Sequence, residues 1–303
     1  MSKRMARLSG WEEASAADYQ RAYLRYGGNF STHPEVLAIQ SQQLKVNQRY
    51  FVKTTRLGEI KGALCVWNNQ FIANDYATAN IVSTADLPIA RDELILPLAA
   101  DEKFFLPFNS KILSACHRQQ IINTTYRVNA GRTLCLAKSV AQFSAKTRQT
   151  RKKELRKFLL QGGEVLPIQQ FSADDVSMIY AELFFKRRNR KIEKSDEQRD
   201  FLRQIKPHIF GNILFFNGNP CAIQLIMKAE SERHITYDYI NIGLDPALSA
   251  LSPGTIITWL NVQQADSECQ HKGKAMRFSF GRPTVDYKNR WCYQEPVGRI
   301  LTL

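Results

Sequence analysis

Asp238 stands in the middle of RHITYDYI at 233–240, between Tyr237 and Tyr239. Strand alternation places His234, Thr236, Asp238 and Ile240 on one face. A carboxyl held among aromatics loses hydration and its pKa rises, which makes it a candidate general base. An ion pair with a neighbouring Arg or Lys is the alternative. A second chemistry lies in LSPGTI at 251–256. Ser252 takes the cap position and Pro253 the first helical position. A helix start offers free N–H groups and a partial positive charge, which suit an anion. Ser252 adds a hydroxyl, and Gly254 lets the backbone come close. Ser252, Pro253, Gly254 and Thr255 are therefore the candidate anion-binding residues, with an ordinary capped helix as the alternative. Lys288 is a candidate to hold a carboxylate or phosphate, or is simply solvated. No H-E-x-x-H, G-x-S-x-G or Walker loop is present. His117 and His234 are isolated in sequence, and no spacing of metal ligands is recognisable, so no metal is expected.

Charge supplies a third feature. The chain has 303 residues, with 42 Lys+Arg against 28 Asp+Glu and a net charge of +14. Such an excess attracts anions: nucleic acid, an acidic membrane surface, or a phosphate-rich ligand. Most of it sits in two short segments. Residues 144–163 carry Lys146, Arg148, Arg151, Lys152, Lys153, Arg156 and Lys157 against Glu154 alone. Residues 186–194 carry Lys186, Arg187, Arg188, Arg190, Lys191 and Lys194 against Glu193. In the first segment Leu155, Phe158 and Leu159 fall only in the second half. Extending their stripe backward by threes and fours meets Arg151, Lys152 and Arg148. That half therefore faces solvent or an anionic surface, and Arg148, Arg151, Lys152, Lys153, Arg156, Arg187, Arg188 and Arg190 are the candidate contacts. Lipid headgroups would contribute about 1 kcal/mol per basic residue. Nucleic-acid phosphates and plain solvated helix faces are the other readings. No helix-turn-helix pair or RNP-like motif accompanies the charge, which places nucleic acid behind an anionic membrane.

The elements that must position these residues are legible in outline. Ser15 with Asp18, Pro34 after His33, and Ser172 with Asp175 mark helix starts, and Ser195 with Gln198 reads as another. Residues 144–161 form a helix stopped by Gly162 and Gly163. Strand-like runs fall at 49–55, 59–67, 103–108, 132–138, 163–170 and 275–280. Residues 213–229 read as two strands around an Asn217-Gly218 turn. A boundary near 138–144 divides the chain into an N-terminal α+β part (1–140) and a C-terminal part (141–303). The start has basic residues but no apolar core, so it does not read as a signal peptide. No uncharged stretch approaches the roughly 18–20 residues a spanning helix needs. The six cysteines form no C-x-x-C pair, as expected of reduced thiols in cytoplasm.

The order strand, helix, helix, strand, strand, strand, helix, strand over the C-terminal part resembles the GNAT acyltransferase fold. It departs from that family in lacking its Q/R-x-x-G-x-G/A phosphate loop. RFSFGRPTVDYKNRWC at 277–292, with the SPG helix upstream and the basic helix QTRKKELRKFL at 149–159, is similar to the cellulose-biosynthesis and FemAB-type relatives of that fold. YGGNFSTHPEVL at 26–37 extends the likeness over the whole chain, which resembles the macrophage-inducible Mig-type proteins. The resemblance implies an α+β fold with a GNAT-like mixed central sheet flanked by helices. The N-terminal part is then a candidate degenerate copy of the same fold. It implies acyl transfer from acyl-CoA to an amine or hydroxyl of the envelope or of a peptide, with aminoacyl-tRNA as a second donor class. It implies resistance to cationic antimicrobial peptides, and a peripheral place on the inner face of the inner membrane. In the GNAT pattern a tyrosine after the last central strand protonates the departing thiolate, and Tyr287 occupies that position. A scaffold that has lost catalysis and a DNA-binding regulator are the alternatives.

Overall fold

The computed structural model describes residues 8–81, 87–127 and 132–302. Residues 1–7, which begin the basic start, lie outside them. The first part runs β1 (Glu12–Ala14), α1 (Ala16–Tyr26), α2 (Pro34–Leu44), β2 (Gln48–Thr54), β3 (Ile60–Trp67), β4 (Phe71–Ile72) and a short α3 (Tyr76–Ala79). Its strands pair antiparallel in the order β1-β2-β3-β4. Ser15 and Asp18 close the expected capping box at the start of α1. Pro34 opens α2 behind His33. The run at 103–108 is not a strand, because Pro107 removes a ladder donor. Phe104 alone bridges, to Ile121, while Phe104, Leu106 and Phe108 fill the core.

The second part runs β5 (Thr124–Thr125), β6 (Thr133–Ala137), α4 (Ala145–Leu160), β7 (Gly163–Pro167), α5 (Ala173–Arg188), α6 (Ser195–Gln204), β8 (Ile209–Phe210), β9 (Asn212–Phe216), β10 (Asn219–Glu230), β11 (His234–Leu244), α7 (Pro253–Lys272), β12 (Ala275–Ser279), α8 (Lys288–Trp291), β13 (Cys292–Pro296) and β14 (Arg299–Ile300). The large sheet has the order β13-β6-β12-β11-β10-β9-β7, with β8 also on β10. β11 and β12 pair parallel, and the other pairings are antiparallel. The β9–β10 hairpin turns at Asn217 (φ 50°) and Gly218 (φ 75°), both left-handed, as a two-residue primed turn requires. α5 and α6 cover one face, with Val176, Tyr180 and Leu183 packed against Ile213, Ile223 and Leu225. α7 covers the other through Trp259, Val262 and Ala265, joined by Phe158 of α4. Ser195 proves to be the first residue of α6 rather than its cap: Lys194, itself left-handed (φ 51°), precedes it without a side-chain cap bond.

The two parts interlock. β6, read from the sequence as the end of the N-terminal part, lies inside the large sheet between β13 and β12. β14 returns to pair with β5, and the Gly298 N–H donates to the Leu113 carbonyl at 2.7 Å. Phe30 and Val36 of the first part share a core with α5 and α6. Arg277 of β12 donates from Nε to both oxygens of Glu93, at 3.0 and 3.2 Å, and reaches Glu295 at 3.2 Å. All six cysteines are free thiols, five of them buried. Among the described residues no helix is long and apolar enough to cross a membrane.

Glu93 and Arg277 form a buried ion pair, their side chains only 3% and 12% exposed. Removing one partner strands the other charge away from water. Glu93→Ala should lower unfolding stability by about 3–5 kcal/mol in urea titration. A loss within ~0.5 kcal/mol would mean the pair does not tie the parts together.

Candidate active-site cleft

β11 and β12 pair from His234 opposite Ala275 to Asp238 opposite Ser279, and then part. Beyond Ser279 the chain follows β6 instead: the Phe280 N–H donates to the Cys135 carbonyl at 2.8 Å, and the Cys135 N–H to the Gly281 carbonyl at 2.9 Å. β11 continues to Leu244 paired with β10 on its other side. A register shift opposite Leu225 and Ile226 leaves Ile240 as an extra residue on β11, a bulge that adds local twist. The wedge between the strands opens into a cavity of about 620 Å³. Its floor is apolar, with Phe143, Ile242, Leu244 and Trp291. Its polar groups come from Tyr239 and Tyr287, from Thr147 and Arg151 of α4, from Arg187 of α5, from Arg290, and from 252–255 at the start of α7.

The start of α7 is held by a chain of buried side-chain bonds. Thr258 Oγ1 donates to the Gly254 carbonyl at 2.7 Å and accepts from Gln224 Nε2 at 2.9 Å. Gln224 Oε1 accepts from Asn261 Nδ2 at 2.8 Å, and Asn261 Oδ1 accepts the Asn212 N–H at 3.0 Å. The helix is thereby fixed to β9 and β10. Ser252 is left-handed (φ 54°), and its side chain makes no cap bond. Pro253 has no N–H, and the Thr255 and Ile256 amides both return to the Ser252 carbonyl. Gly254 is thus the first amide available to a ligand. A Cβ there would lie 3.1 Å from Leu244 Cδ1, so the glycine also permits the close packing of helix and strand.

Three guanidinium groups surround this helix start. Arg151 pairs with Glu154 at 2.6 Å and lies 5.8 Å from the Trp291 ring centre. Arg187 donates to the Ile242 carbonyl at 2.7 Å, one of the acceptors on the free stretch of β11. Arg290 is exposed at the rim. Against them stands Asp245, itself engaged by Lys186 at 3.2 Å. The phenol oxygens of Tyr239 and Tyr287 are 3.4 Å apart, a weak contact. Burial first, then Tyr287, pushes the Tyr239 phenol well above its ordinary value, so it stays a neutral donor at neutral pH. The Tyr239 ring stacks on Phe280 at 5.0 Å.

The structure thus brings together Tyr287, Ser252, Pro253, Gly254, Thr255, Arg151 and Arg187. It does not bring Asp238 or Lys288 to them, which corrects both catalytic expectations. Asp238 points from the opposite face of β11 toward the first part, fully buried, with Oδ2 lacking a hydrogen-bond partner. Burial, and then Glu93, raises its pKa to about 8. Lys288 is buried, and its Nζ donates to the carbonyls of Phe280 and Arg282, both at 2.6 Å, where burial lowers its pKa. It closes the turn that aims Tyr287. Arg148 is spent on the Phe143 carbonyl. Arg190 lies 5.7 Å from the Phe184 ring centre, and Arg188, Lys152, Lys153 and Arg156 are exposed. Tyr239, Arg290, Thr147 and Trp291 had not been singled out. For Tyr239 the clue was present, since the alternation that sends Asp238 to one face sends its neighbour to the other.

A profile of the Mig-14 family matches residues 33–300. The chain belongs to the Mig-14 family. No curated protein sequence matches it. Among solved structures, FemX is 8% identical and matches over 96% of this chain and 97% of its own, with a TM-score of 0.58. L-PGS from Bacillus licheniformis is 13% identical, with 96% and 93% covered and a TM-score of 0.50. A tandem GNAT protein from the clavulanic acid biosynthesis pathway is 8% identical, with 96% and 97% covered and a TM-score of 0.42. These likenesses concern the fold. This member of the Mig-14 family has the mixed α+β, GNAT-like architecture expected from its order of elements.

Asp238 gives a pH test. Its carboxyl ionises near 3.8 when unfolded and near 8 when folded. Between these values the unfolded chain has already lost the proton that the folded chain keeps, so stability falls as pH rises from about 4 to about 8. Asp238→Asn removes this titration. The variant should therefore gain stability relative to the parent across that window in urea unfolding at stepped pH, and a parallel pair of curves would contradict the raised pKa.

Proposed function

We propose that the cleft performs acyl transfer from a phosphate-bearing acyl donor, acyl-CoA first, to an amine or hydroxyl acceptor. The observation that carries the reading is the convergence of one wedge between parallel strands, one helix start, three guanidinium groups and two phenols. The cleft residues suit such a donor. The Gly254 N–H, the uncapped Ser252 hydroxyl, Arg151, Arg187 and Arg290 would hold its phosphates. The apolar floor would take an uncharged arm. With a single free amide at the helix start, the arginines rather than the backbone carry most of the phosphate affinity. When bound, acyl-CoA supplies an acyl group activated as a thioester. Tyr287 Oη would give its proton to the departing group, and Tyr239, kept neutral, would hold Tyr287 in place. An aminoacyl-tRNA terminus also carries phosphates and an activated acyl group, there an ester whose departing group is the terminal ribose hydroxyl, and is the competing donor.

Thermal shift and calorimetry with acetyl-CoA, with CoA, and with a mixed aminoacyl-tRNA pool separate the donors. The expected result is stabilisation by CoA compounds that ADP does not reproduce. No shift at millimolar CoA together with a shift on tRNA would transfer the assignment to the second donor. Arg187→Ala and Arg151→Ala should each weaken donor binding about 10-fold, the loss of one charge-assisted bond. Tyr287→Phe should lower kcat by on the order of 100-fold or more with donor affinity nearly unchanged. An unchanged kcat would remove Tyr287 as the acid.

We further propose that the outer face of α4 rests on the anionic inner face of the inner membrane, and that the acceptor belongs to the envelope or to an antimicrobial peptide. Lys152, Lys153 and Arg156 are exposed and make no ion pair among the described residues. Leu159 and Leu160, 46% and 76% exposed, continue the same helix, so cations and bare leucines meet on one surface. Reversing Lys152, Lys153 and Arg156 to Glu should cut co-sedimentation with phosphatidylglycerol vesicles by more than about 100-fold, at about 1 kcal/mol for each basic residue lost. Donor binding should be unaffected. Equal sedimentation with phosphatidylcholine vesicles would count against an electrostatic contact.

A further inference from the structure

A cluster that lines no part of the cleft has ligand chemistry that the proposed reaction does not use. His33 precedes α2, Glu35 is in its first turn, and His208 ends the 3-10 turn Lys206–His208 that follows α6. One ligand atom from each of the three lies within 4.8 Å of the others. Glu35 Oε2 is 3.1 Å from His208 Nε2. The two imidazole rings are 4.4 Å apart, centre to centre.

Both rings are held from behind. His33 packs edge-on against Tyr23 at 5.0 Å, and His208 lies tilted on Phe30 at 5.5 Å. His208 Nδ1 lies 3.0 Å from the Lys228 carbonyl, which only accepts. A proton on Nδ1 satisfies that contact and leaves a lone pair on Nε2, facing the carboxylate of Glu35. Two acceptors then confront each other at hydrogen-bond distance, and a cation is what would reconcile them. An imidazole that donates its far N–H to a backbone carbonyl is the usual support of a metal-bound histidine. The third group agrees: His33 Nδ1 is buried and has no hydrogen-bond partner.

We propose that His33, Glu35 and His208 bind one divalent transition metal of the zinc class, with water completing the coordination. Two imidazoles and a carboxylate are the donor set that such an ion takes, and zinc bonds of about 2.0–2.2 Å need ligand atoms closer than 4.8 Å. Glu35, whose side chain is 62% exposed, is free to make that adjustment. Calcium and magnesium, which require oxygen donors, are excluded by the two imidazoles. The ion would clip α2 of the first part to the turn that leads from α6 into the large sheet. It is a structural clip, independent of the cleft.

The test uses the full chain, stripped with a chelator and titrated with Zn²⁺ and with Co²⁺. One equivalent should bind, Zn²⁺ should raise Tm, and Co²⁺ should show the visible absorption of a site containing nitrogen ligands. Glu35→Gln alters an exposed side chain, so it keeps the fold and should weaken the metal about 10-fold or more. His208→Ala and His33→Ala should abolish both the spectrum and the Tm rise. Binding that survives in all three variants would place the metal elsewhere, at the exposed Cys116 or His271 for instance. Failure of the parent chain to bind one equivalent would reduce the cluster to the polar contacts of His208 with Glu35 and the Lys228 carbonyl. Neither outcome depends on acyl donor binding, so this proposal and the acyl-transfer reading fail separately.

Discussion

The parting of β11 from β12 is the constraint on which the rest of the molecule depends. Two parallel strands of unequal length, eleven residues against five, cannot stay paired to the end of the longer one. The shorter strand is drawn away by β6, which takes over its backbone bonds at Phe280 and Gly281. The longer one keeps β10 on its other side, with the bulge at Ile240 adding twist where the partner is lost. The result is a sheet with an internal edge. Backbone groups on that edge need partners, and a buried group without one costs on the order of 1–3 kcal/mol. Arg187 satisfies the Ile242 carbonyl, and open solvent in the cleft serves others. The gap is therefore lined by polar groups beside its apolar floor.

A gap positions nothing unless its walls are fixed. One wall is the start of α7, tied through Thr258, Gln224, Asn261 and Asn212 to the strands beneath it. Every link in that relay is a buried polar group whose partner is another member, so the helix cannot slide without stranding several at once. The other wall is the turn after β12. There Lys288 replaces hydration with two carbonyls, Tyr287 follows from the geometry of that turn, and Trp291 packs near Phe143 at 6.0 Å. Glu93 and Arg277 hold β12 itself against the first part. The N-terminal part thus sets the position of the strand whose departure makes the cleft.

Most local structure was legible because its causes are local. Capping pairs at Ser15 and Ser172, the Asn217-Gly218 turn and Pro34 each act within a few residues, and the structure has them where the sequence places them. Ser195 failed because Lys194 adopts the left-handed conformation a cap residue there would not be expected to take. The run at 103–108 failed because burial of its phenylalanines does not require a ladder, and Pro107 spoils one. β6 could not be assigned to its sheet at all. Its partners, Gln294 and Ser279 among them, lie more than a hundred residues away, and pairing over such a distance leaves no mark on a five-residue apolar run.

The same limit governs the site. Asp238 was read as a carboxyl with a raised pKa, which its burial produces, and as a candidate general base, which its place away from the cleft does not support. Desolvation depends on the amount of protein around a group, which an aromatic strand advertises. Access to a ligand depends on which face of the sheet the group occupies. A two-residue period separates the faces without saying which one opens, and it is Tyr239 that meets Tyr287. The basic helix shows the complementary case. Its first half has no apolar stripe to bury, and the sequence reading sent its charges to water or an anion; Lys152 and Lys153 are exposed, but Arg148 turns to the Phe143 carbonyl and Arg151 to Glu154 and Trp291. Helix geometry then divides them. Arg151 lies on the side of α4 that meets Trp291 and the cleft, whereas Lys152 and Lys153, one and two residues on, are rotated about 100° and 200° away by the 3.6-residue turn. Adjacent charges in one run are thereby set on different surfaces: Arg151 at the cleft, Lys152 and Lys153 outside it. Charge density in the sequence could not make that division; only the helix's rotation against its neighbours does.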